Sequence, residues 1–528
     1  MTYTNATAVA ERSARSGPWW REAVVYQVYI RSFADGSGDG IGDIAGLRSR
    51  LGYLSDLGVD GIWINPWYRS PMADGGYDVT DYFDIDPVFG TLDGADEFIS
   101  ACHEHGIRVI VDLVPNHTSN QHPWFKEALA APPGSPARAR YWFRPGRGDG
   151  GEEPPNDWRS RFEFVGSAWT RVHETDGTPG EWYLHLFTPE QPDLNWGNRE
   201  VTEEFRSILR FWLGLGVDGF RVDAAPGLAK DPDTSHLGYW DRDEVHEIYR
   251  KWRRLIDSHP GEQQFVAEAC QIGPDRVANY VRPDELHTAF SIDFLWCEWD
   301  AGRLRAVIDN TLSTLGAVGA PATWVLSNHG AVRHVSRYGR TSTGGVDLLL
   351  GTRRARAAAL LLLALPGCAY IYQGDELGLW QVRSETGDPR DGCRVPLPWS
   401  GEQPPFGFSP PDASAACWLG QPSAWSEITA ERQTGDQVSM LELYRRALKI
   451  RRAHPALGDG SLAWDDGAPP GVLSFTREPG FRCMVNLSAE NVQLPLHDWL
   501  LPSSALESDL LLPPDSAVWL ADGESPTS

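Results

Sequence analysis

Two acidic residues close consecutive apolar runs near the middle of the chain. Asp223 ends Gly219-Phe-Arg-Val-Asp223, and Glu268 ends Gln264-Phe-Val-Ala-Glu268. On neighbouring strands the two carboxyl groups would face each other at one rim. Carboxyls about 5–5.5 Å apart are what retaining glycoside hydrolysis requires, one as nucleophile and one as acid/base. Arg221 lies two residues before Asp223, hence on the same strand face. A cation there is expected to hold Asp223 ionised. Glu268 stands beside Phe265, Val266, Ala267 and Ala269, surroundings expected to raise its pKa toward acid duty. The competing reading is that strand-end carboxylates simply solvate a barrel mouth. A second group of oxygens lies earlier. Asp35-Gly-Ser37-Gly-Asp39-Gly-Ile41-Gly-Asp43 sets potential ligands at alternate positions, a spacing like that of an EF-hand loop and suited to calcium at about 2.3–2.6 Å. A metal-free Gly/Asp turn is the alternative. A cation here would be structural, because the loop follows the first strand and not the carboxylate pair.

These residues need a scaffold that brings strand ends together. Short apolar, β-rich runs recur at Val24–Phe33, Gly61–Asn65, Arg108–Val114, Gly219–Ala224, Gln264–Ala269, Thr288–Trp296, Thr323–His329 and Ala369–Gln373. Helical periodicity lies between them, at Ile44–Leu57, Ala95–His105, Val201–Leu215, Arg242–Asp257 and Thr352–Ala364. Strands alternating with helices imply parallel βαβ units. Eight of them predict an α/β fold, a closed (β/α)8 TIM barrel whose site sits at the C-terminal strand ends. An open doubly wound sheet is the alternative, but no GxGxxG follows the first strand. The barrel is predicted over residues 19–116 and 196–455. Residues 117–195, rich in Pro, Gly and Trp, read as a small domain inserted after strand three. Residues 456–528 read as a C-terminal antiparallel, sandwich-like β-domain, and residues 1–18 as a disordered leader.

Composition excludes several partners. Of 528 residues, 72 are acidic and 47 basic, a net charge of −25. That balance argues against a nucleic-acid backbone or an anionic membrane, both of which need a positive face. No apolar run is long enough to span a bilayer, and no apolar signal segment opens the chain. The seven cysteines are scattered without CxxC spacing, so a reduced, cytoplasmic protein is expected. The 23 tryptophans suit stacking on sugars as well as burial in a large core. The oligomeric state is left open.

With these features in view, the chain resembles the alpha-amylase superfamily of glycoside hydrolases, in its α-glucosidase and oligo-1,6-glucosidase branch, from about Trp19 to Leu520. The resemblance rests on Asp112–His117, Gly219–Asp223, Ala267–Glu268, Ser327–His329, Gln191-Pro-Asp-Leu-Asn-Trp196 and Gly76-Tyr-Asp78. It implies that Asp223 is the nucleophile and Glu268 the general acid/base. It implies that His117 and His329 hydrogen-bond the sugar at the cleavage subsite, that Tyr77 stacks on it, and that Phe164 lines the pocket. Asp78 and Arg394 would grip the non-reducing end and close the pocket, giving an exo-acting enzyme that releases one glucose at a time. Asp112 and Asn116 would be structural. Relatives bind calcium or magnesium in a loop matching Asp35, Ser37, Asp39, Ile41 and Asp43. The implied partner is a small saccharide or glycoside.

The chain departs from the family's pattern in four places, one of them Val165, which stands beside Phe164 where the family usually has glycine. The position after His329, where relatives carry a third catalytic acid, is Gly330. Losing its hydrogen bonds to the sugar, ~3–4 kcal/mol, would slow the chemistry a few hundredfold. Four readings follow: an engineered substitution, a slow glucosidase or transglucosylase, an enzyme for a sugar modified at C2 or C3 such as an aminosugar, or a sugar-binding pseudoenzyme. Gly378–Arg390 looks shorter than in relatives, which would widen the pocket mouth. Ser37 removes one strong ligand from the cation loop. Ala224, after the nucleophile, leans weakly to α-1,4 linkages, and packing explains it equally well.

Overall fold

Runs of β-branched and aromatic residues buried on both faces make the strands of the central sheet, as parallel strands covered by helices require. The computed structural model describes residues 17–174, 176–233, 238–384, 386–495, 498–506 and 510–521. Most of the expected leader, residues 1–16, lies outside them. Eight strands occur in chain order: β1 Val24–Val28, β2 Gly61–Ile64, β3 Arg108–Leu113, β4 Gly219–Val222, β5 Gln264–Ala267, β6 Thr288–Ala289, β7 Thr323–Val325 and β8 Cys368–Tyr372. Their order in the sheet is β6-β5-β4-β3-β2-β1-β8-β7, and the pairings β1–β8, β3–β4, β4–β5, β5–β6 and β7–β8 are parallel. A parallel bridge between Phe290 and Thr323 follows directly on β6 and meets β7. That order is the (β/α)8 barrel.

The helices between strands largely follow the expected periods. They include α1 Ile44–Ser49, α2 Leu51–Leu57, α3 Leu92–Glu104, α4 Arg199–Gly214, α5 Val245–Asp257, α6 Ala301–Gly316 and α7 Leu348–Ala364. The single helix expected over Ile44–Leu57 is two. Asp43 caps α1 by accepting from Gly46 N, Arg50 breaks the helix, and α2 ends on Gly58 in the left-handed region at φ 91°, the usual helix stop. The strand expected over Thr288–Trp296 is a second correction. It lasts two residues and gives way to a short helix, Ile292–Trp296, whose Phe294 packs edge-on against Trp324 at 5.1 Å. A short apolar run does not by itself distinguish strand from helix.

The described residues form two compact units by contact. One comprises Ile64–Ser100 and Val109–Ala289. In it the segment after β3 builds a three-stranded antiparallel sheet from Phe143–Arg144, Pro179–Leu184 and Trp169–His173. Its core, Trp158, Ala168, Trp169, Leu184 and Leu186, packs on Ala224 and Trp240, so the insertion is anchored beside Asp223. The other unit comprises, among the described residues, residues 17–63, Ala101–Arg108 and residues 290–521. It contains an antiparallel sheet of β9 Ala463–Trp464, β10 Val472–Arg477, β11 Phe481–Asn486, β12 Asp498–Pro502 and β13 Ser516–Ala521, in the order β9-β10-β11-β13-β12. The second half of helix α7, Ala357–Ala364, is apolar on every side and buried, as expected of an enclosed helix. The β13 residue Trp519 donates its indole N–H to Leu360 O on α7 at 3.1 Å. Among the described residues no helix is long and apolar enough to cross a membrane.

Candidate active site

Arg221 is the centre of the arrangement. It sits in β4, 2% exposed, and buried guanidinium needs partners. Its Nη1 donates to Asp223 Oδ1 at 2.6 Å and to Asp112 Oδ1 at 2.9 Å, and its Nη2 meets Glu268 Oε2 at 2.7 Å. The three carboxylates come from the ends of β3, β4 and β5, and strand pairing fixes their level. Asp112 pairs with Arg221 in register between β3 and β4. Asp223 N donates to Leu113 O, and Glu268 N donates to Val222 O, so each acid stands one step beyond the pairing of its strand. Ala224 then turns the chain sharply with φ 45°, a left-handed conformation costly for a non-glycine residue. Its N–H points to Glu268 Oε2 at 3.2 Å.

The electrostatics only partly follow the sequence expectation. Three carboxylates share one guanidinium, so the cluster carries surplus negative charge that burial makes expensive. Burial pushes the Asp223 carboxyl well above the ordinary carboxylate range, against the pull of Arg221. Burial likewise pushes Asp112 up to about 6. Arg221 pulls Asp223 toward the ionised form, as expected, but burial opposes it and is the larger effect. The apolar setting expected for Glu268 is corrected: its side chain is 26% exposed and faces Arg221 and a backbone N–H. Its sequence neighbours Val266 and Ala267 lie buried in the strand and do not surround the carboxylate.

Tyr77 and His117 join this cluster. The Tyr77 hydroxyl accepts from Asn65 Nδ2 at 2.8 Å and donates to Asp112 Oδ2 at 2.9 Å; its ring centre lies 5.7 Å from the Arg221 guanidinium. A lysine fixes the state of His117. Lys230 has only donors, and its buried ammonium bonds Asn116 Oδ1 at 2.8 Å and Asp193 Oδ2 at 2.9 Å. The Asn116 amide nitrogen must then face His117 Nδ1, 3.1 Å away. Nδ1 therefore accepts, and Nε2 lies 3.0 Å from Tyr77 O and 3.1 Å from Gln191 Nε2. Burial, reinforced by the nearby Lys230 charge, lowers the His117 pKa to about 3, so the imidazole is neutral at any ordinary pH.

That shift has a thermodynamic sign. Below its ordinary pKa of ~6.5, the unfolded chain takes up a proton on this histidine that the folded chain refuses until about pH 3. Its contribution to stability therefore falls as pH drops through that window, by ~1.4 kcal/mol per pH unit. A His117→Gln variant should lose this increment of acid sensitivity, read as a shallower slope of unfolding free energy between pH 6 and pH 4 in urea titrations. An unchanged slope would mean that His117 is not buried in the neutral state.

Other candidates fall elsewhere. Asp78 is fully buried, and its carboxylate accepts from Ser70 Oγ, Ala73 N and Asp74 N, each at 3.0 Å; these bonds close the turn before Tyr77. Phe164 is 79% exposed and stacks on Phe162 at 5.5 Å. Phe162 in turn contacts Phe187, whose ring lies 5.2 Å from His117. Phe187 meets the His117 ring edge-on, and Phe164 is linked to it through Phe162. Sequence reasoning missed Phe187 and Lys230; Asp193 lay within a quoted motif without a role.

The end of β7 forms a separate group in the other unit. His329 Nδ1 meets Gln27 Nε2 at 2.8 Å, and its ring stacks near Tyr29 with centres 6.3 Å apart. Arg394 Nε donates to His329 O at 2.8 Å, and Nη1 reaches Asp391 Oδ1 at 3.1 Å. Gly330 follows, its N–H donating to Asn328 Oδ1 at 2.9 Å. Nothing in the backbone demands glycine there. Its φ is outside the left-handed region, and an added Cβ would meet within 4 Å only Asn328 Oδ1, at 3.5 Å.

The Asp35–Asp43 loop is closed by hydrogen bonds of its own. Asp43 Oδ1 accepts from Gly36 N and Gly46 N and its Oδ2 from Ser37 N, while Asp35 Oδ1 accepts from Gly38 N and its Oδ2 from Gly40 N. Asp39 Oδ1 accepts from Ile41 N. Among the described residues no three His, Cys, Asp or Glu side chains converge as a metal cluster. Each oxygen has two lone pairs, so Asp35 Oδ2, Asp43 Oδ2 and Asp39 retain capacity for a cation.

A parallel eight-stranded barrel with acids gathered at successive strand tips around a buried arginine defines a class, the barrel glycosidases that work through paired carboxylates. The alpha-amylase catalytic domain matches residues 27–460, and the chain belongs to that family. It is 36% identical to a probable alpha-glucosidase of Rhizobium meliloti (strain 1021), over 89% of this chain and 90% of the relative. It is 32% identical to the oligo-1,6-glucosidase of Parageobacillus thermoglucosidasius, over 90% of this chain and 91% of that one. Among solved structures it is similar to the alpha-glucosyl transfer enzyme XgtA, at 34% identity and a TM-score of 0.83, over 96% of this chain and all of that one. The chain is an enzyme of the glycoside hydrolase and transglucosylase class.

Proposed function

We propose that this enzyme acts on the non-reducing end of short α-glucosides by double displacement, with Asp223 as nucleophile and Glu268 as acid/base. One observation carries the reading: a single guanidinium, Arg221, holds both carboxylates at the tips of adjacent strands. In the first step Asp223 attacks the anomeric carbon while the Glu268 carboxyl gives its proton to the leaving oxygen. In the second, Glu268 takes a proton from water or an acceptor hydroxyl, which attacks the glucosyl ester and frees Asp223. His117 stays neutral and is positioned through Asn116 and Lys230. Tyr77 and Arg221 hold the cluster's geometry. Hydrolysis and transfer differ only in the acceptor of the second step, and relatives of both kinds support keeping the two together.

Gly330 adds a second element to the proposal. Without the family's third acid the enzyme is slow on plain glucosides, or suited to a sugar modified at C2 or C3, and the open space at Gly330 supports this. Incubation with an α-glucosyl fluoride tests the whole reading. A glucosyl adduct on Asp223 in the mass spectrum of a peptide digest is the expected result. Sugar binding without adduct or turnover would make the protein a saccharide-binding pseudoenzyme instead.

A structural cation in the Asp35–Asp43 loop belongs to the same proposal, held by the carboxylate oxygens that retain a lone pair. Calcium added to chelator-stripped protein at 100 times its Kd should raise stability by ~2.7 kcal/mol, seen as a higher melting temperature. An unmoved melting temperature would leave the loop as a hydrogen-bonded turn.

A further inference from the structure

The protein carries a net charge of −25, yet one groove on its surface is strongly basic. Helices α4 and α5 border a cavity of about 610 Å³. Arg199, Arg206 and Arg210 project into it from α4, and Lys251 and Arg254 from α5, against a single lining carboxylate, Glu203. The α4 residues fall at i, i+7 and i+11 and so share one helix stripe. Arg206 pairs with Glu203 at 3.0 Å. Arg199, Arg210, Lys251 and Arg254 are exposed, and among the described residues none of the four is in an ion pair. Elsewhere the arginines of this chain are mostly matched with acids, as Arg276 is with Asp241 and Asp243. Glu247, one turn before Lys251 on α5, lies within electrostatic range of Lys251 and Arg254, so five cations face two carboxylates, and the repulsion that remains is what an anion relieves.

We infer that this groove binds a small multivalent oxyanion, a phosphate ester or condensed phosphate, one per chain. The volume lies within the ~300–1,000 Å³ of small-molecule sites. Arginine forks match the oxygens of phosphate bidentately and dominate this set. The N-terminus of α4, with Arg199 in its first turn and Gly197 just before the Asn198 cap, lies on the groove and adds the positive end of a helix dipole. The strongly negative remainder of the molecule disfavours long polyanions, whose charge would extend beyond the patch. None of these residues belongs to the Arg221 cluster, so occupancy of the groove is independent of the proposed chemistry.

Calorimetric titration at low ionic strength tests this, using inorganic tripolyphosphate, glucose 1-phosphate and adenosine triphosphate in turn. One binding event per chain is expected, weakening as salt is added. The tightest of the three identifies the source of the phosphate. The double variant Arg210→Gln/Arg254→Gln should bind at least tenfold more weakly, while its melting temperature and its turnover of a chromogenic α-glucoside match the parent. No binding of any probe, or equal binding by the double variant, would overturn the inference. So would self-association of the parent at low salt that the double variant lacks, because the groove would then take an acidic surface of a second copy.

Discussion

Replacing Asp223 with asparagine should lower turnover of a chromogenic α-glucoside by roughly 10⁴-fold or more, the scale seen when a covalent nucleophile is removed. The substitution keeps shape and removes the charge that attacks the anomeric carbon. The expected folded stability changes less, because Arg221 keeps Asp112 and Glu268 as partners. A variant that is fully folded by circular dichroism and nearly inactive is the predicted result, checked by steady-state rates. Retention of more than about a tenth of the parent rate would remove Asp223 from the nucleophile's role, since tenfold corresponds to only ~1.4 kcal/mol of barrier.

The second large effect runs in the opposite direction. Gly330→Asp should accelerate maltose turnover by about a few hundredfold, the equivalent of ~3–4 kcal/mol of transition-state hydrogen bonding. The backbone accepts the side chain, since the modest contact with Asn328 Oδ1 is the nearest obstacle. The gain should appear in kcat more than in KM, because these hydrogen bonds strengthen as the sugar flattens toward the transition state. An unchanged rate would mean that this enzyme has another way of holding the 2- and 3-hydroxyls, or a natural sugar lacking them.

Much of this was legible in the residues, for identifiable reasons. Strands buried on both faces read as continuous apolar runs, so β1, β3 and β8 stood out. The register of Arg221 relative to Asp223 followed from the period of a strand. What failed depended on neighbours distant in sequence. The setting of Glu268 was inferred from the residues beside it in the chain, whereas its carboxylate meets Arg221 on the next strand. Lys230 carries no motif, and its importance comes only from being buried against Asn116 and Asp193. Phe187 was invisible for the same reason, because the fold of the insertion decides which aromatic ring reaches His117. The two-residue β6 was unreadable because its apolar run continues into a helix of similar composition.

The packing of Ala224 into the insertion's tryptophan-rich core has a consequence for how this enzyme fails on heating. The residue after Asp223, in a left-handed backbone conformation, packs against side chains of the inserted segment, and proteins open in sub-global units at less cost than global unfolding. Warming should therefore release the peptide behind the attacking carboxylate first. Activity should fade reversibly at temperatures where calorimetry still sees an intact protein, with restoration on cooling.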